Sequence, residues 1–211
     1  MNSGAKRGLL VLVLTAGICA LLARDVPLSA AQDGGGIARI GNAVPVMEIR
    51  DIDGNRRSNK DFEGYIIVYT FADRNSNKHL QEVIRPAAKR VVEAYPDLKI
   101  AYMNFADVVA VPHFLRHVVN PILRYINDSN TKEMREYYES DGLPWNEEIT
   151  PFILVPEWKG EHLKVFGMKD ARDWVAFVTD RSTIHAVLDA STEDFAGVFF
   201  NAFKELAAAR E

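Results

Sequence analysis

Cysteine is almost missing from this chain. One occurs in 211 residues, Cys19, and it lies in an N-terminal apolar run. From residue 20 onward the chain holds no thiol. That excludes thiol catalysis, disulfide exchange and cysteine-ligated metal for everything after the run. Other signatures are missing too. There is no Gly-x-x-x-x-Gly-Lys-Ser/Thr loop, no Gly-x-Gly-x-x-Gly turn and no Gly-x-Ser-x-Gly elbow, so nucleotide and serine-hydrolase chemistry lack their usual frames. No internal repeat and no long low-complexity tract appears, which argues against solenoids and disordered arrays.

What is present begins with a leader. Lys6 and Arg7 precede LLVLVLTAGICALLA, residues 9–23. This run is shorter than the ~18 residues of a spanning helix. Ser29 and Ala31 supply small residues at the −3 and −1 places of a signal peptidase site. Residues 1–31 therefore read as a cleaved secretory signal, with an uncleaved anchor as the alternative and as the sole membrane contact. The expected location is periplasmic or secreted. Removing Lys6, Arg7, Arg24 and Asp25 from the 25 basic and 29 acidic residues leaves an excess of acid, about −6. A general nucleic-acid binder needs a basic stripe instead.

Residues 32–38 form a flexible lead-in containing GGG, and residues 39–211 form one domain. VPVMEIRDIDGNRR predicts a strand, a turn at Asp53–Gly54 and a return strand. YIIVYTF is apolar throughout and rich in β-branched and aromatic residues, the mark of a central strand buried on both faces. A helix is expected over 78–95, kinked or interrupted at Pro86. A second strand follows at Lys99–Asn104. A helix is expected from Pro112, broken at Pro121, and a polar helix or loop over 128–142. TPFILVP predicts a short buried strand, and KGEHLKVFG is ambiguous. Two strands flank a turn at Asp180–Ser182. A closing helix starts at a Thr192 cap with Glu193 and Asp194 in its first turn. The pattern is an α/β sandwich with a mixed sheet.

The opening segment, VPVMEIRDIDGNRRSNKDFEGYIIVYTFADRNSNK, resembles thioredoxin-like proteins of the thiol peroxidase and TlpA types. So does the block PFILVPEWKGEHLKVFGMKDARDWVAFVTDRSTIHAVLDA. The resemblance implies a thioredoxin-like fold: a central mixed sheet flanked by helices, with an N-terminal β-hairpin. It places Asn75 and Lys78 where a Cys-x-x-Cys pair would lie. Arg172, Asp173 and Trp174 stand where the family carries a cis-proline, for which Pro151 is an offered substitute. Ala72-Asp73-Arg74-Asn75-Ser76-Asn77-Lys78, with Asn104, Asp107 and Pro112, further resembles the YtfJ family of periplasmic proteins. That resemblance implies a fold and a compartment but no reaction.

The candidate site is therefore the turn Asp73, Arg74, Asn75, Ser76 and Lys78, with Asp107 facing it from the end of the next strand. Ligands of open α/β sheets gather at the carboxyl ends of strands, and helix-terminal N–H groups hold anions. The bland reading is a solvated turn in which Asn75 or Asn77 caps the helix. His113 and His117, four apart on an expected helix, could share a metal, but without a Glu-x-x-His frame a surface or core pair fits better. No cofactor is implied. Two functions stay open: a redox-inactive binding or scaffold protein of the cell envelope, recognising an envelope protein or a small anion, and an enzyme running polar chemistry at the turn.

Overall fold

The computed structural model describes residues 39–143, 145–180 and 182–210. The signal and lead-in expectations lie outside these residues. The chain opens with an antiparallel hairpin, β1 (Glu48–Arg50) and β2 (Arg56–Ser58). Asp51 organises its turn. One carboxylate oxygen accepts from the Asp53 and Asn55 N–H groups, and the other from the Asn55 amide and the Arg57 guanidinium. Gly54 takes a φ of +89° there, which a side chain would resist. A capping box joins Ser58 and Asp61 at a short 3-10 turn that buries Phe62.

The central strand is β3 (Ile66–Ala72). It pairs in parallel with β4 (Ile100–Asp107) and antiparallel with β6 (Val175–Thr179). β5 (Phe152–Glu157) adds in parallel beside β4, and β7 (Ile184–Asp189) adds antiparallel beside β6. The sheet order is β5-β4-β3-β6-β7. Helices α1 (Asn77–Ala94), α2 (Arg116–Glu139), α3 (Glu161–Val165) and α4 (Phe195–Ala208) complete the fold. The mixed sheet flanked by helices and preceded by a hairpin is the thioredoxin-like class expected from the sequence.

Every residue of β3 is buried because both of its faces are covered. Ile66 and Val68 pack with α1 and α4 through Leu80, Ile84, Phe199 and Phe203. Ile67, Tyr69 and Phe71 face the other way, onto Phe105, Phe166, Phe177 and the hairpin's Ile49. The hairpin also guards the edge strand, for Ile52 N–H donates to the Leu154 carbonyl. Arg124 of α2 holds the hairpin turn through the Asp53 carboxylate and the Ile52 carbonyl. At the far end of the chain, Arg210 donates to the Gly64 carbonyl just before β3. No helix among the described residues is long and apolar enough to cross a membrane.

Several local expectations are corrected. Neither proline breaks its helix: α1 runs unbroken through Pro86, and α2 runs 24 residues through Pro121, absorbing the polar stretch expected as a helix or loop. Pro86 sits on the exposed side of α1, where its ring meets no neighbouring layer. β4 continues three residues past Asn104, to Asp107. The ambiguous KGEHLKVFG contains the short helix α3. The closing helix is capped by Asp194, not Thr192. Thr192 instead accepts from the Asp189 N–H in the preceding turn. The described residues contain no cis peptide bond, Pro151 included.

Candidate functional site

β3, β4 and β5 run in parallel, so their carboxyl ends share one edge of the sheet. The register pairs Ala72 with Ala106 and Asp107 with Glu157. One residue past the first of these pairs lies Asp73. Each of the three strands thus ends on a carboxylate at about the same level. Each carboxylate is occupied by backbone donors of the segment that follows it.

Asp73 opens the turn that leads into α1. Its carbonyl accepts from Asn77 N–H, and its carboxylate accepts from Asn75 and Ser76 N–H at 2.8 Å each. This is the work of a helix cap, performed by Asp73. Neither asparagine performs it, and Ser76, next to the helix, makes no side-chain cap bond. The two N–H groups held by Asp73 are among those an anion would use. Ser76 is buried, and its hydroxyl donates to the Ala171 carbonyl at 3.0 Å. The Asp73 N–H reaches the same carbonyl at 2.9 Å.

Asp107 meets the same residue from the other side. One of its oxygens accepts from Ala171 N–H at 3.0 Å and the other from Val109 N–H at 3.1 Å. Trp174, three residues on from Ala171, donates its indole N–H to His79 of α1 at 3.2 Å. Asp73, Ser76 and Asp107 therefore converge on the backbone of Ala171. The loop before β6 is the facing wall of the turn, and hydrogen bonds join the two walls.

The remaining turn residues do not converge with them. Arg74, Asn75 and Lys78 are exposed. Lys78 is 87% exposed at its side chain and lies 3.9 Å from Glu82 along the helix. His113 starts a 3-10 turn and His117 lies in α2, both exposed. Among the described residues no three His, Cys, Asp or Glu side chains group as a metal site requires.

The third carboxylate belongs to a pair that spacing alone did not reveal. Glu157, 3% exposed, accepts from the Lys159, Glu161 and His162 N–H groups at the start of α3. It also lies 2.6 Å from His162 Nδ1, while His162 Nε2 faces the Glu48 carbonyl at 3.3 Å. Both ring nitrogens face acceptors, so the imidazolium is the form that satisfies them. Burial pushes the Glu157 carboxyl up, but the His162 bonds outweigh it and leave it below its usual value. Burial likewise pushes His162 down, and the Glu157 carboxylate more than reverses this, so His162 ends above its usual value. The sequence signal is Glu157 and His162 five apart across Gly160, which takes a φ of +69°.

Two cavities among the described residues lie elsewhere. One of about 250 Å³ is lined by Leu98, Tyr138, Trp145 and Ile149. Another of about 690 Å³ opens between α2 and the start of β5. Neither is lined by Asp73, Ser76 or Asp107. Leu98 and Ile149 precede β4 and β5, so these cavities sit at the amino ends of the parallel strands. The eight residues of β4 separate the two edges by about 23 Å.

No protein-family model matches the chain, and no curated protein does. Solved structures similar to it include a thiol peroxidase from Chromobacterium violaceum, 14% identical, covering 84% of this chain and 91% of that one with a TM-score of 0.46. A putative protein disulfide isomerase from Bacteroides thetaiotaomicron is 14% identical, with 83% and 92% covered and a TM-score of 0.47. The peroxidoxin BcpB from Mycobacterium tuberculosis is 11% identical, with 79% and 97% covered and a TM-score of 0.48.

Proposed function

We propose that this protein is an exported, redox-inactive binding or scaffold protein of the cell envelope, akin to the YtfJ family, recognising a partner protein at the carboxyl edge of its sheet. The observation that carries this reading is the sealed turn. Asp73, Ser76 and Asp107 spend their hydrogen bonds on Ala171 and their own loops, and residues 39–210 hold no cysteine. A reacting site keeps polar groups open to a substrate; here Asp73, Ser76 and Asp107 are held by bonds within the protein.

What the edge presents outward suits recognition. Val109 and Phe114, on the segment after β4, are exposed, Phe114 at 71%. Arg74, Asn75 and Lys78 are exposed on the turn. Exposed apolar side chains at the same sheet edge as an arginine and an amide are groups that a protein-binding surface uses. Export rests on the apolar run and the Ser29–Ala31 site of the leader.

Photo-crosslinking in intact cells tests the reading. Crosslinkers at Lys78 and Phe114 should capture one shared partner, and one at Lys204, an exposed position on α4, should not. Equal capture from Lys204, or none from the other two, sinks it. The purified protein should leave insulin disulfides unreduced, and its mature N-terminus should be Gln32.

A further inference from the structure

A run of aromatic ring contacts at the amino edge includes residues that line the two cavities. Tyr102 lies on Phe152 with ring centres 4.7 Å apart, Phe152 on Trp145 at 5.5 Å, and Trp145 against Tyr138 at 5.6 Å. Three polar atoms in this stack are buried with no partner among the described residues: the Tyr102 hydroxyl, the Tyr138 hydroxyl and the Trp145 indole N–H. Native proteins rarely leave buried donors unpaired, and each such group asks for an explanation. Here two of the three belong to residues lining one cavity.

The rest of that cavity narrows what would satisfy them. Val92, Leu98 and Ile149 give an apolar wall, suited to a ring rather than a sugar or phosphate. Its volume of about 250 Å³ falls just under the ~300–1,000 Å³ of drug-sized sites, so the occupant is a single ring with small substituents. The indole N–H can only donate and the Tyr138 hydroxyl can donate as well as accept, so one acceptor oxygen satisfies both. Asp97, also on the wall, disfavours a carboxylate in that role. Tyr138 is 1% exposed, whereas Trp145 is only half-buried and lines both cavities. Neither orphaned atom is open to solvent, so an acceptor reaches them only as the Trp145 ring shifts.

We propose that this cavity binds a small neutral aromatic molecule bearing a carbonyl oxygen, which accepts from the Tyr138 hydroxyl and the Trp145 indole N–H. The site lies at the opposite edge of the sheet from the partner surface and is independent of it.

Titration of the purified protein with benzamide, followed by two-dimensional NMR, tests the proposal. The Trp145 indole N–H resonance, assigned with Trp145→Phe, should move downfield and saturate. Tyr138→Phe should weaken binding about tenfold, the scale of one hydrogen bond. Toluene, which fits the ring but lacks the acceptor, should bind correspondingly more weakly, and benzoate more weakly than benzamide. No saturable shift, equal affinity for toluene and benzamide, or unchanged binding in a folded Tyr138→Phe protein each overturns the site and leaves buried water as the partner of these groups. If Tyr138→Phe does not fold, the benzamide–toluene comparison on the unaltered protein decides alone.

Discussion

Ser76 donates its hydroxyl to the Ala171 carbonyl across 95 positions of sequence, and this bond joins the turn after the central strand to the loop that faces it. Ala171 O retains a second donor, the Asp73 N–H, so removing the hydroxyl orphans nothing. Ser76→Ala should therefore cost about 1 kcal/mol. Lys78→Ala, two residues away and solvated, should stay within about 0.5 kcal/mol. Urea unfolding of both variants checks the contrast, and equal costs would contradict a structural role for the Ser76–Ala171 bond.

Pro86 predicts the opposite sign. It lies inside an unbroken helix and on its exposed side, so it removes one helical hydrogen bond and contributes no core packing. Pro86→Ala should raise stability by about 1–3 kcal/mol. A loss in the thermal midpoint would mean that the ring packs in a way its exposure denies.

The Glu157–His162 pair makes stability depend on pH in two directions. His162 is raised above its ordinary 6.5, so its contribution is complete below that value and is lost as pH rises through the folded one. Glu157 is lowered below its ordinary 4.5, so its contribution is complete above that value and is lost as pH falls through the folded one. The pair contributes most between about 4.5 and 6.5. His162→Ala should cost about 3 kcal/mol in that window, since it leaves a buried carboxylate without its cation, and less at pH 8. Urea midpoints at pH 5.5 and 8 measure the difference, and a cost independent of pH would contradict the ion pair.

At the start of α4, Asp194 accepts from Gly197 N–H at 3.0 Å. A Cβ on Gly197 would fall 2.0 Å from an Asp194 carboxylate oxygen. Asp194→Ala should cost about 1 kcal/mol. Gly197→Ala should be near neutral, because the ~1 kcal/mol gained in helix propensity is offset by the displaced cap. In the Asp194→Ala background the same substitution should stabilise. Calorimetry on the four proteins of this cycle checks the coupling.

The fold was legible where patterning is strong. The unbroken apolar run of β3 has both faces buried, and the Asp53–Gly54 turn closes the expected hairpin. Proline misled because its cost depends on which side of a helix it faces, and a linear pattern does not show this. The caps misled for a related reason: Asp73 and Asp194 act from the ends of their turns, while Asn75, Asn77 and Thr192 are equally good cap residues by type. At the candidate edge Asp73, Ser76 and Asp107 stand out in the sequence by type and position, but Ala171, on whose backbone they converge, carries no side-chain chemistry for a sequence to advertise. Glu157 and His162 escaped because each looks ordinary until the turn at Gly160 folds one onto the other.

The strand order also times the assembly of the molecule. β3, at the centre, needs β4 on one side and β6 on the other, and Ile67 pairs with Thr179. A nascent chain that has emerged only as far as β5 leaves one flank of its most apolar strand unpaired, and the floor beneath it waits for Phe199 and Phe203 of α4. Such long-range closure is slow and leaves the unfinished chain prone to stick. Closing the central strand on both flanks and covering it thus waits for β6 and α4, however early β3 and β4 are made.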